Sequence, residues 1–224
     1  MDAKETKSRR AIVTGLGIAT AGLAVAATKA QAQRRRSDFQ PERHALDAWL
    51  DDADGGHRIF VDSATAGGAG NALLYANNLF QAHTTAYEGD PSDLDIVVCF
   101  RHFSTPFGYG DAIWEKYGEA IHTITQMPDP ATNGAPKSNL FNTPNPAIGG
   151  VTIGSVAERG ARFAICRNAT QFFSGELARA TGGSQSEVFD ELLAGAIDNS
   201  RFVSAGVIAL TRAQEYGYSL LYAG

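Results

Sequence analysis

Three short apolar runs constrain this chain more than any other feature. They are Arg58-Ile59-Phe60-Val61-Asp62, Leu94-Asp95-Ile96-Val97-Val98-Cys99-Phe100 and Ala161-Arg162-Phe163-Ala164-Ile165-Cys166. Continuous apolar runs of this length suit strands buried on both faces, as in a parallel sheet. Helical patterns stand between them. Ala72, Leu73, Ala76, Leu79, Phe80 and His83 recur at spacings of three and four, which predicts a helix after the first strand. Residues 106–117 read as a helix with Pro106 near its start, and 151–159 as another. After the third strand, Asn168 is placed to cap a helix, with Gln171 as its reciprocal partner. Val188, Phe189, Leu192, Leu193, Ala196 and Ile197 form a further stripe. A short strand at Phe202-Val203, a helix over 206–216 and a last strand over 218–222 complete the pattern. Strands alternating with helices predict an α/β fold, a three-layer sandwich around a mostly parallel, doubly wound sheet spanning residues 57–224.

The N-terminus reads differently. Lys4, Lys7, Arg9 and Arg10 precede an uncharged run from Ala11 to Thr28, followed by Lys29 and Ala30-Gln31-Ala32. Basic region, apolar region and small-x-small site, in that order, predict a secretory signal over residues 1–32. The Arg9-Arg10 pair and the weakly hydrophobic run predict the twin-arginine route, hence a periplasmic or otherwise exported protein. The run is also about the ~20 residues that a spanning helix needs, but its three glycines favour cleavage over a retained anchor. Cleavage after Ala32 removes five of 19 basic and two of 24 acidic side chains, taking the formal charge from −5 to −8. Such a surface repels phosphate backbones, which excludes nucleic acid as an expected partner. Residues 33–56 are polar and read as an N-terminal arm, with one short helix at 44–50.

Regular pattern also stops between residues 127 and 150, where five of the eight prolines lie among asparagines and glycines. A stretch of this kind is either a lid or interface segment or a disordered insertion. No cofactor is implied by the sequence. The five histidines lack metal-ligand spacing, and neither a Walker loop nor a Gly-x-Ser-x-Gly elbow is present. Gly67, Gly68 and Gly70 follow the first strand, where a dinucleotide loop would sit, but Leu73 replaces the third glycine. The loop either presents backbone N–H groups to an anion, with Asn168 contributing at the third strand, or makes a tight turn.

The two cysteines are unequal. Cys99 lies within a strand and reads as a core residue. Cys166 ends a strand just before a helix, at the edge where open α/β sheets bind ligands. The positive helix N-terminus and Arg167 both favour a thiolate, as a nucleophile or sulfur carrier requires. Arg101 and His102, at the end of the second strand, are candidates to set the surroundings of Cys166, with His102 as proton donor or acceptor. A buried inert thiol, or a Cys99–Cys166 disulfide, is the alternative.

The segment Ala161-Arg162-Phe163-Ala164-Ile165-Cys166-Arg167-Asn168 resembles the strand–cysteine–helix segment of the DsrE-like sulfur-relay family. The stretch Gly206-Val207-Ile208-Ala209-Leu210, with Ala213-Gln214 and Gly217-Tyr218, is similar to that family's closing helix and strand. The resemblance implies assembly as a homotrimer or homohexamer, a sulfur donor or acceptor protein as partner, and Cys166 as carrier of a persulfide. Export, the 127–150 insertion and the Arg101–Pro106 segment depart from the family's relay pattern. Three functions therefore compete: a sulfur-handling protein, a periplasmic module binding a small anion or cofactor, and a structural oligomer.

Overall fold

The computed structural model describes residues 40–52 and 54–224. Contacts divide the chain into two units, Met1–Arg43 and His44–Gly224, and the α/β domain is the second. The expected export signal and its cleavage site lie outside the described residues.

The domain is an α/β sandwich around one five-stranded sheet. Strands β1 (His57–Ser63), β2 (Leu94–Phe100), β3 (Arg162–Cys166), β4 (Ser200–Val203) and β5 (Ser219–Tyr222) lie in the order β4-β3-β2-β1-β5. Every pairing is parallel. All seven side chains of β2 are buried, because it lies inside the sheet with helices over both faces.

Helices α1 (Ala66–Ala86), α2 (Asp111–Thr125), α3 (Ile153–Ala157), α4 (Arg167–Thr181) and α5 (Gln185–Ala194) cover one face. Val61, Ile96, Val98, Phe100, Phe163 and Ile165 supply the sheet side of that core. The opposite face is covered more thinly, by α6 (Gly206–Glu215) and a 3-10 helix at Ala45–Leu50. There Phe60, Val97, Cys99 and Ala164 meet Trp49, Leu50, Ala209 and Ala213. Side chains alternate along each strand, so the two sets divide by odd and even position.

Two expectations are corrected. The second half of the supposed arm belongs to the domain, because Trp49 and Leu50 are buried in its core. A polar network holds them: Arg162 donates to the Trp49 carbonyl at 2.7 Å and to Asp95 at 2.8 Å. The Tyr218 hydroxyl bonds both Asp95 and the Leu50 carbonyl. The expected 106–117 helix is instead a 3-10 helix, His102–Gly108, followed by α2. Residues 127–150 are irregular but built in. Leu140, Phe141 and Ile148 enter the core, and buried Asn139 donates to the carbonyls of Phe107 and Tyr109, each at 2.8 Å.

Candidate functional site

The connections after β3 and β4 leave the sheet in opposite directions. β3 runs into α4 on the thicker face, whereas β4 runs into α6 on the other. Such a divergence opens a crevice at the C-terminal ends of the strands, the place where α/β sheets bind ligands. A cleft of about 440 Å³ lies there, lined by Arg101, His102, Phe103, Cys166, Phe172 and Val207 among others.

Cys166 forms its floor. No turn residue separates β3 from α4, so Cys166 itself is the N-cap and its Sγ accepts from the Ala169 N–H at 3.4 Å. This corrects the cap assigned to Asn168, which lies one residue inside the helix although it does line the cleft. The Sγ of Cys166 thus meets the start of a helix, where N–H groups lack intrahelical partners and the partial charge is positive. Thr170 donates to the Cys166 carbonyl at 3.0 Å and accepts from Tyr109 at 2.9 Å. That chain locks the first turn beneath the thiol. Burial pushes the Tyr109 hydroxyl pKa upward, so Tyr109 stays a neutral donor.

Arg101 reaches Cys166 through the sheet register. Phe100 pairs with Ile165, and Arg101 continues extended at φ −131°, its N–H bonded to the Ser63 carbonyl at 3.2 Å. The next residues, Arg101 and Cys166, therefore stand side by side on one face. Asp62, buried on the neighbouring strand, grips Arg101 through two bonds of 2.8 Å. The hydrogen bonds to Asp62 raise the Arg101 pKa further above its ordinary value. Ser104 accepts from the Arg101 N–H at 2.8 Å and lies 2.8 Å from the Ser63 carbonyl, fastening the ends of β1 and β2. The chain then reverses at His102, whose φ of +53° lies in the left-handed region. A non-glycine residue held there costs of order 1–3 kcal/mol, and such residues cluster at functional sites. Across the cleft Gly206 admits Arg101 closely, since a Cβ there would lie 2.6 Å from the Arg101 Cβ.

Cys99 has a different character. It is fully buried, and burial raises its thiol pKa well above the ordinary value. Cys99 pairs with Ala164, two residues before Cys166. With strands ~4.8 Å apart and ~3.3 Å per residue, the two cysteine Cα atoms are separated by about 8 Å. That exceeds the ~7 Å limit for a disulfide, and both cysteines are free thiols.

Of the residues singled out from sequence, Cys166, Arg101, His102 and Asn168 meet in the cleft. Arg167 does not, because its guanidinium packs 4.9 Å over the Phe189 ring on α5. The glycine loop also lies elsewhere, within the first turns of α1. Gly67 is exposed there, while Gly68 packs against the carbonyls of Ala223 and Gly224, and Gly70 against Phe141. The Gly68 N–H is taken by the Thr65 hydroxyl at 2.9 Å, so these glycines serve packing. Sequence reasoning missed Asp62, Phe103, Phe172, Gly206 and Val207. Only Asp62 left a signal, as an acid closing an apolar run.

A wider hollow of about 1000 Å³ lies near the other ends of the strands, beside β5, with His57, His83 and Asp93 along it. It contains no nucleophilic thiol. Among the described residues no cluster of His, Cys, Asp and Glu could hold a metal ion.

No family model matches this chain, and no curated protein does. Among solved structures it is similar to a protein of unknown function, MTH1491 from Methanobacterium thermoautotrophicum. The identity is 14% and the TM-score 0.38, over 74% of this chain and 98% of that one.

Proposed function

We propose that this protein carries sulfane sulfur on Cys166, as the DsrE-like resemblance implies. The observation that supports it is a thiol capping α4, beside Arg101 and at the floor of a cleft that His102 also lines. In the loading step the Cys166 thiolate attacks the outer sulfur of a donor R–S–S–H. The donor S–S bond breaks, a Cys166–S–S–H forms, and R–S⁻ leaves with the bonding electrons. The same step in reverse hands the sulfur to an acceptor thiol, so the role is that of a carrier or sulfurtransferase.

The test is intact mass after exposure to polysulfide. Wild type should gain 32 Da, reversed by dithiothreitol, and Cys99→Ala should do the same. Cys166→Ser should gain nothing yet stay folded, because serine is a favoured N-cap. Loading of the Cys166→Ser protein would defeat the reading. Binding of a small anion is less well supported, since Asp62 already meets the charge of Arg101.

Two further parts of the proposal concern the whole protein. It is exported by the twin-arginine route, and Arg9→Lys with Arg10→Lys should hold it in the cytoplasm; normal export of that variant would refute this. It also assembles as a trimer or hexamer, which the exposed edge strand β5 favours.

A further inference from the structure

We infer that the sulfur donor recognised by this cleft is a small organic persulfide with an apolar body, rather than an inorganic sulfur anion or a cysteine on a folded protein. The inference rests on Cys166 being the sulfur carrier.

Three observations lead to it. The thiol is recessed, with Cys166 only 6% exposed, and it is approached through the cleft. A cysteine thiol stands one carbon from its main chain, so a folded donor would have to push its backbone inside. A volume of about 440 Å³ falls instead within the ~300–1,000 Å³ typical of small-molecule pockets. The walls are also apolar. Phe103, Phe172 and Val207 line the cleft while remaining 45%, 50% and 58% exposed. Large apolar side chains grouped in water around one thiol mark a surface that a ligand covers. Finally, the cations are committed elsewhere. Arg101 is matched by Asp62 at 2.8 Å, and Arg167 lies over Phe189 outside the cleft. A bare polysulfide anion finds little net charge here, whereas an aryl or alkyl group finds matching walls.

Chemically, Cys166 attacks the outer sulfur of R–S–S–H, the S–S bond breaks, and the transferred sulfur keeps its hydrogen. The proton lost by the Cys166 thiol ends on the departing R–S⁻, through His102 or water. No oxidant is consumed.

The experiment uses the full chain and follows the 32 Da gain on Cys166 from benzyl hydrodisulfide and from methyl hydrodisulfide. Each rate is divided by that of free cysteine with the same donor. Benzyl should exceed methyl by at least about tenfold, the discrimination a well-fitted apolar pocket gives. Phe172→Ala and Phe103→Ala should bring the ratio near one, whereas Leu46→Ala, on the 3-10 helix outside the cleft, should keep the wild-type ratio. These three side chains are exposed, so the variants should remain folded, as circular dichroism will check. Loading by both donors at a ratio of one would overturn the inference and leave the carrier reading intact. Faster loading from persulfidated serum albumin than from benzyl hydrodisulfide would overturn it equally. No gain on Cys166 from either donor or from polysulfide would remove the carrier reading and the inference together.

Discussion

Cys99 and Cys166 point to the same face of the sheet, yet their surroundings set them apart. Cys99 packs among Phe60, Val97 and Ala164 in the interior, where a thiolate has no solvation. Cys166 has an N–H donor and Arg101 beside it at the cleft floor. Iodoacetamide should therefore modify Cys166 in the native protein and reach Cys99 only in denaturant. Equal rates at both would contradict this assignment. The raised Cys99 pKa also has a consequence for stability. The folded state holds the thiol protonated, while the unfolded chain releases that proton above about pH 8.5. Unfolding is then favoured as pH rises past that value, up to the folded pKa, and the Cys99 contribution is undiminished below it. Urea midpoints measured from pH 7 to 10 should fall more steeply for wild type than for Cys99→Ala. Identical slopes would show that Cys99 is not the group responsible.

Among the elements, the 127–150 segment departs most from its appearance in sequence. Its prolines and asparagines carry no periodicity, but it contributes Phe141 to the core and closes over α2. The approach is close: a Cβ on Gly118 of α2 would lie 1.8 Å from the Pro136 carbonyl oxygen. The anchor is Asn139, fully buried, with two donated bonds and one accepted from the Phe141 N–H at 3.1 Å. Replacing it by alanine strands two buried carbonyls and an N–H, for which about 3 kcal/mol is a reasonable expectation. The Asn139→Ala variant should lose that much in urea unfolding. It should also be cut by trypsin near Lys137 before any other site in the described domain. A change under 1 kcal/mol would mean that the apolar contacts alone hold the segment.

At the scale of the whole molecule, the proposed assembly follows from what the single domain leaves uncovered. All four residues of β5 are exposed at the sheet edge, with Leu220, Leu221 and Tyr222 in water. An open edge with apolar side chains invites pairing unless it is covered. Light scattering should report a trimer or hexamer at micromolar concentration, and a monomer mass throughout would end that proposal. The α/β class and the three inner strands were determined by sequence alone, because burial on both faces writes itself as apolar runs such as 96–100. Cys166 at a strand-to-helix junction was equally legible, since its neighbours change period at that residue. Tertiary structure decided the rest. Strand order brought Arg101 beside Cys166 and Asp62 beside Arg101, pairings set by long-range register rather than by local pattern. The same register denied the two cysteines a disulfide. It was the packing of Gly68 against main-chain carbonyls that assigned the glycine loop to structure. Direction of a long side chain is likewise a matter of what packs nearby, and so Arg167, adjacent to the thiol in sequence, was drawn by Phe189 away from it.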